Sequence, residues 1–358
     1  QDFYAGRYAQ ANQVLDRSIP STDRVLFLME RGTIRLSLGD YAGSARDLIS
    51  AYDRLEQLQT YSASRGGASV VVNDTVKEYR GYPYERALLH AFTAKDHLAL
   101  GHWEDAAVEA RRTLDALSPE VLGDYPDDAY ARYVAGLCLE LIGDRSNAEL
   151  QYRKAGALLE HVGVDDRTGR VGARDGTNEA PRVDGGSWPA ELVCLVMMGR
   201  APQGQATWRD DWAAQHAAHA EIVINGQVAG RSYTLTDVLD LAFTTDQKQA
   251  AQKMVKTVAR IAAKEALAHQ IEKDNELLGE LVRFVLIGLL EKPDTRRWET
   301  LPRLLQVARV PCPPDLTTYT VVFRTSAGAE MGRLQVDRPL QRQDRTFVSF
   351  CRDLPAQP

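Results

Sequence analysis

The residues of this chain best suited to chemistry are His216 and His219, followed by Glu221 in the run WAAQHAAHAEI. On a helix an i, i+3 pair would present both imidazoles on one face, but zinc takes three or four ligands and no further histidine or acidic motif is marked as their partner. They read as a solvated helix end, and no metal is expected. Asp127 with Asp128, and Asp210 with Asp211, are adjacent carboxylates that a helix points in different directions, so they read as caps or surface charges rather than an acid–base dyad. Trp298 beside Arg296 and Arg297 is either a contact surface or the anchor of a helix to its sheet. The four cysteines, Cys138, Cys194, Cys312 and Cys351, show no C-x-x-C spacing. Cys138 lies on an apolar helical face as a buried thiol, while Cys312 and Cys351 bracket the last β-rich stretch and could pair in an oxidising compartment. The phosphate-loop, dinucleotide, serine-hydrolase and zincin signatures are all missing, so no catalytic residue and no cofactor is expected.

The chain has 358 residues, 44% of them hydrophobic, enough for more than one core. A formal charge of −6 without a basic stripe argues against a nucleic-acid surface. The best apolar run, Leu281 to Leu290, contains Arg283 and is too short to span a bilayer, so it reads as a buried helix.

The elements that must position any site begin with a repeat. From Ala129 to Ala155 the chain carries Gly136, Gly143, Ala148, Tyr152 and Ala155, the order and spacing of small and aromatic positions in a tetratricopeptide (TPR) unit. Gly136 would let two helices approach, Gly143 would end the first of them, and Ala148 and Ala155 stand where larger side chains would push the hairpin apart. Gly32, Gly39, Tyr41 and Ala51 repeat the offsets, with Ser44 in place of the usual alanine. Ala94, Gly101, Trp103 and Ala106 give another copy, and Gly6, Tyr8, Ala11 and Leu15 give half a unit that ends at Pro20. The glycines at 6, 39, 101 and 143 are 33, 62 and 42 residues apart, so two intervals hold inserted material, chiefly a loop over 60–84.

That loop brings Glu78, Tyr79, Arg80, Tyr82 and Tyr84 together, large contact area with few rotors. Two readings stand: the aromatics fold back to plug the helical groove, or they face a partner as an epitope. With Tyr130 and Tyr133 they form the candidate protein-binding set. The groove-facing positions would be Leu26, Met29, Thr33 and Leu36, then Leu88, Ala91, Lys95 and Leu98, then Tyr130, Tyr133, Leu137 and Glu140. Most are apolar, so the groove holds either the chain's own second half or a hydrophobic partner segment.

The expected class is α+β: an N-terminal TPR-like α-solenoid over 1–162, a Gly-rich linker or excursion over 163–188, and a mixed domain over 189–358. In that last part ELVCLVMM (191–198) is of strand length, Asn225-Gly226 signals a hairpin, and Asp246 to Lys273 and Leu277 to Leu290 form a long helical hairpin. TYTVVFRT, MGRLQV and RTFVSF then give three strands of a small antiparallel sheet or sandwich.

The segment KEYRGYPYERALLHAFTAKDHLALGHWEDAAVEARR (77–112), with VARIAAKEAL (258–267) and WETLPRLLQVARVP (298–311), resembles a largely uncharacterised bacterial family of tetratricopeptide-containing lipoproteins. The resemblance implies a lipid-modified cysteine upstream of Gln1 as the link to membrane, a place on the periplasmic face of the outer membrane, and an oxidising setting that favours a Cys312–Cys351 bond. Members are often encoded near other small lipoproteins, including ones like the curli-pore and penicillin-binding-protein-activator families. The expected function is a non-enzymatic scaffold or adaptor that binds other envelope proteins, lipoproteins or copies of itself. The alternatives are a regulator of a cell-wall synthase and a hydrolase or metalloenzyme built on the C-terminal half.

Overall fold

Helices joined in pairs by two or three residues make up most of the first half, because a glycine after each leading helix takes the left-handed conformation that lets the chain reverse. The computed structural model describes residues 2–15, 21–64, 78–174, 188–200, 219–252, 296–337 and 340–353. After α1 (Tyr8–Leu15), the pairs are α2 (Arg24–Leu38) with α3 (Tyr41–Ser64), α4 (Pro83–Leu100) with α5 (Trp103–Ala116), and, beyond the short α6 (Pro119–Leu122), α7 (Ala129–Leu141) with α8 (Arg145–Ala157). Gly39, Gly101 and Gly143 have φ of 82°, 72° and 82°. The expected seam residues lie between paired helices: a Cβ on Gly136 would fall 2.9 Å from Tyr152 Cε1, and one on Gly32 would fall 2.7 Å from a Leu48 methyl. Ala148 and Ala155 are buried in the same contact. Asp128 caps α7 by accepting from Ala131 N (3.0 Å).

The second half supplies two sheets. The larger has the order β10 (Gln341–Gln343), β11 (Thr346–Arg352), β3 (Ala190–Met198), β7 (Leu304–Cys312), β6 (Tyr233–Asp237). The smaller is β5 (Gln227–Arg231), β4 (His219–Ile224), β8 (Tyr319–Arg324), β9 (Glu330–Val336), antiparallel throughout. Asn225 and Gly226, both at positive φ, make the β4–β5 turn. β3 is buried along its whole length because both of its faces are covered. Leu192, Cys194, Val196 and Met198 pack against the smaller sheet, while Val193, Leu195 and Met197 pack against the helices. The chain is therefore layered, with helices on one face of the larger sheet and the smaller sheet on the other.

Several expectations change. The last strands do not form one antiparallel sheet: β8 and β9 belong to the smaller sheet, and β11 runs parallel to β3 in the larger. β7, unmarked in sequence because it carries Arg309 and Pro311, is a central strand. The start of the 163–188 stretch, expected as a linker or a hairpin-like excursion, takes the second form, the hairpin β1 (Val162–Val164) with β2 (Val171–Ala173). The helical residues and the sheet share one hydrophobic core, so the boundary at 163–188 divides structure classes rather than cores. His219 begins β4 instead of ending a helix. Residues 238–252 are helical. His216, Asp210, Asp211 and the 253–295 stretch, with most of the long helical hairpin, lie outside the described residues, as do 65–77 and 175–187. No helix among the described residues is long and apolar enough to cross a membrane.

The Cys312–Cys351 pairing is overturned, since all four thiols are free. β3 runs between β7 and β11, with Cys312 opposite Ala190 at one end and Cys351 opposite Val196 near the other. Neighbouring strands stand about 4.8 Å apart and residues rise about 3.3 Å each, so the two sulfurs are far beyond bonding reach. Cys351 Sγ instead lies 3.6 Å from Cys194 Sγ.

Candidate binding cleft

The groove that the helices should present is occupied by the chain itself. Trp298, 1% exposed, donates Nε1 to Thr33 Oγ1 (2.9 Å), its ring lies 5.4 Å from that of Phe92, and its backbone N donates to Glu85 Oε1 (2.9 Å). Farther along, Lys95 Nζ meets Met197 Sδ (3.1 Å) from β3 and the face of Phe92 (3.9 Å). At the other end Arg309 of β7 reaches Glu140 of α7 (2.7 Å) and Glu191 of β3 (2.6 Å) at once. Burial pushes the Glu191 carboxyl up, but the Arg309 charge and hydrogen bonds outweigh it and hold the group below the usual carboxylate range.

The tyrosines expected to face a partner are inside. Tyr79, Tyr82 and Tyr84 are 3%, 6% and 2% exposed, and Tyr130 and Tyr133 are fully buried. Tyr79, Tyr82 and Tyr84 are thus folded back onto the helices rather than turned to solvent, while Tyr130 and Tyr133 lie on α7 under other parts of the chain. Tyr79 OH donates to Glu85, the Tyr82 and Tyr84 rings stack at 5.9 Å, and Arg297 lies 4.6 Å from the Tyr82 ring centroid. Tyr133 OH donates to Gly169 O (2.7 Å), and Tyr130 N donates to Thr236 Oγ1 (3.1 Å). Glu78 is paired with Arg54 (2.6 Å), which leaves Arg80 as the exposed member of the set. The apolar area of these phenols drives their burial: Tyr79 finds its hydroxyl partner in Glu85 of α4 and Tyr84 in Arg297, whereas the Tyr130 hydroxyl is buried without a hydrogen-bond partner among the described residues.

A cleft of about 150 Å³ opens between α3, α4, α5 and α6. Helical spacing builds its walls: Tyr52, Leu55, Glu56 and Gln59 from α3, Arg86, Leu89 and His90 from α4, Arg112, Asp115 and Ala116 from α5, with Val121 of α6 at the edge. His90 is held from below, its Nδ1 lying 2.8 Å from Glu109 Oε2, while Arg112 Nη1 donates to the other oxygen at 2.6 Å. Burial pushes the Glu109 carboxyl up, yet the His90 hydrogen bond and the charges of His90 and Arg112 leave it below its ordinary value. An ionised Glu109 can only accept, so His90 Nδ1 donates to it and the ring is held in one orientation. Tyr52 completes the wall, its ring 4.6 Å from His90 in an edge contact and 4.9 Å below the Arg112 guanidinium. Among the described residues the lining offers donors, acceptors and an apolar floor.

None of the cleft residues belonged to the sequence-derived set. His90, Glu109 and Arg112 stand in the LLHAFTAK and EARR runs, and the signal that would have found them is a buried histidine facing a buried glutamate across a helical hairpin, which needs the pairing of α4 with α5 to be known. The chain matches no protein-family model and no curated protein sequence.

Proposed function

We propose that this chain is a non-enzymatic scaffold of the bacterial envelope, built on a TPR-like helical array and held in an outer-membrane-associated assembly, and that it grips a partner polypeptide through the α3–α4–α5 cleft. The observation that carries the reading is the division of labour between the two helical faces: the inner one is filled by the chain's own sheet, while the outer one keeps an open cleft. A volume of about 150 Å³ is below the roughly 300–1,000 Å³ of small-molecule sites, and it fits an apolar side chain of another protein. Leu55, Leu89 and Ala116 would receive that side chain, with Arg86, Arg112, Glu56 and Asp115 at the rim to fix its flanks. Seams with Gly32, Gly136, Ala148 and Ala155 support the repeat reading, and the resemblance over 77–112 supports the envelope setting.

The test is capture of partners from envelope fractions by the wild-type chain and by Val121→Glu, a change at a side chain 59% exposed, followed by quantitative mass spectrometry. A partner enriched by the wild type and lost from the variant is the expected result. Identical recovery by both, or recovery of the chain alone, would overturn the cleft as the binding face.

A further inference from the structure

His97, His102 and Asp105 come from three turns of chain that no continuous helix would bring together. On an unbroken helix His97 and His102 would lie about 140° apart around the axis. Gly101, at φ 72°, breaks the helix between them, and the reversal is pinned by His102 N donating to His97 O at 2.9 Å. His97 therefore sits in the last turn of α4, while His102 and Asp105 occupy the cap and first turn of α5. Each of the three side chains offers a ligand atom within 4.8 Å of the other two, and His102 Nδ1 and Asp105 Oδ2 are already 3.8 Å apart.

We propose that His97, His102 and Asp105 form a binding site for a divalent transition-metal ion of the zinc type. Two imidazoles and one carboxylate are the donor set such ions take, with at least one position left open. Ligands 2.0–2.2 Å from a tetrahedral zinc stand roughly 3.3 Å from one another, so rotations of the exposed His102 and Asp105 side chains close the set. A second observation points the same way: His97 Nδ1 is buried and has no hydrogen-bond partner among the described residues. Gln341 of β10 brings its side-chain oxygen against Gly101, so the ion would sit where the α4–α5 turn meets the edge of the larger sheet.

The test is titration of the full chain with Co²⁺, read by its visible absorption, and displacement by Zn²⁺, read by calorimetry. One ion per chain is expected, with affinity reduced at least about tenfold in both His102→Ala and Asp105→Asn, both exposed positions. His161→Ala, at a side chain 92% exposed, is expected to bind as the wild type does, and circular dichroism should report the same fold for all four proteins. Absent saturable Co²⁺ absorption, or equal affinity in the wild type, His102→Ala and Asp105→Asn, would overturn the site.

Discussion

Lys95 is 1% exposed and has a methionine sulfur and a benzene ring for company, an environment that penalises its charge. Burial pushes its ammonium down to about 7, against the pull of Asp96 and with the repulsion of Arg352. The folded value lies below the unfolded one, so between pH 7 and 10.5 the unfolded Lys95 holds a proton that the folded one has released, and the contribution of this residue to stability rises with pH through that window. Below it the folded chain must bury the charge. Lys95→Met should remove this slope and raise stability at neutral pH by about 1–4 kcal/mol. Urea midpoints of the wild type and Lys95→Met on either side of the window check it; an advantage of Lys95→Met that does not shrink as pH rises would contradict the placement of Lys95. Arg309 is the contrasting case, equally buried but clasped by two carboxylates, so its charge is matched where that of Lys95 is not.

At the scale of elements, the hairpin seams decide how closely helices lie. Gly136 faces Tyr152, and the Tyr152 ring has little freedom to yield, because its hydroxyl donates to Glu140 and Gly169 packs on its other side. Gly136→Ala would gain helix propensity of about 1 kcal/mol but force the seam open, and overpacking costs about 1–3 kcal/mol, so the net expectation is a loss of up to about 2 kcal/mol. A denaturation midpoint equal to or above that of the wild type would show that the seam can relax. The helix pairs, the Asn225-Gly226 turn and the strand at 191–198 were legible in sequence because each is set by local spacing or local turn chemistry. β7 was not, since a strand that carries a buried arginine and a proline looks polar and broken until Glu140 and Glu191 are found on either side of it. The His97–His102–Asp105 cluster was likewise invisible, because only the reversal at Gly101 makes neighbours of them.

For the whole molecule, the shared core predicts how the chain comes apart. Met29, Leu88, Leu98 and Tyr133 of the helices belong to the same cluster as Val193, Leu195, Trp298 and Val307 of the second half. Full-length chain is expected to lose helix and near-ultraviolet tryptophan signals in one transition, and a fragment of residues 1–162 is expected to expose that apolar face, bind a hydrophobic dye and aggregate. Cooperative melting of the isolated fragment at the full-length midpoint would show instead that the helices form a core of their own. The outer face, with its cleft beside His90, is then the one on which the proposed partner has room.

Sequence alone determined what depends on neighbours a few residues away: paired helices with small residues at their seams, glycine at their ends, β-strands afterwards and an apolar inner groove. Tertiary structure decided what fills that groove, which tyrosines are hidden, how far apart Cys312 and Cys351 lie and which charges meet. Those outcomes turn on contacts between segments more than a hundred residues apart, such as Thr33 with Trp298 and Lys95 with Met197, and periodicity within a segment carries no information about the segment it will face.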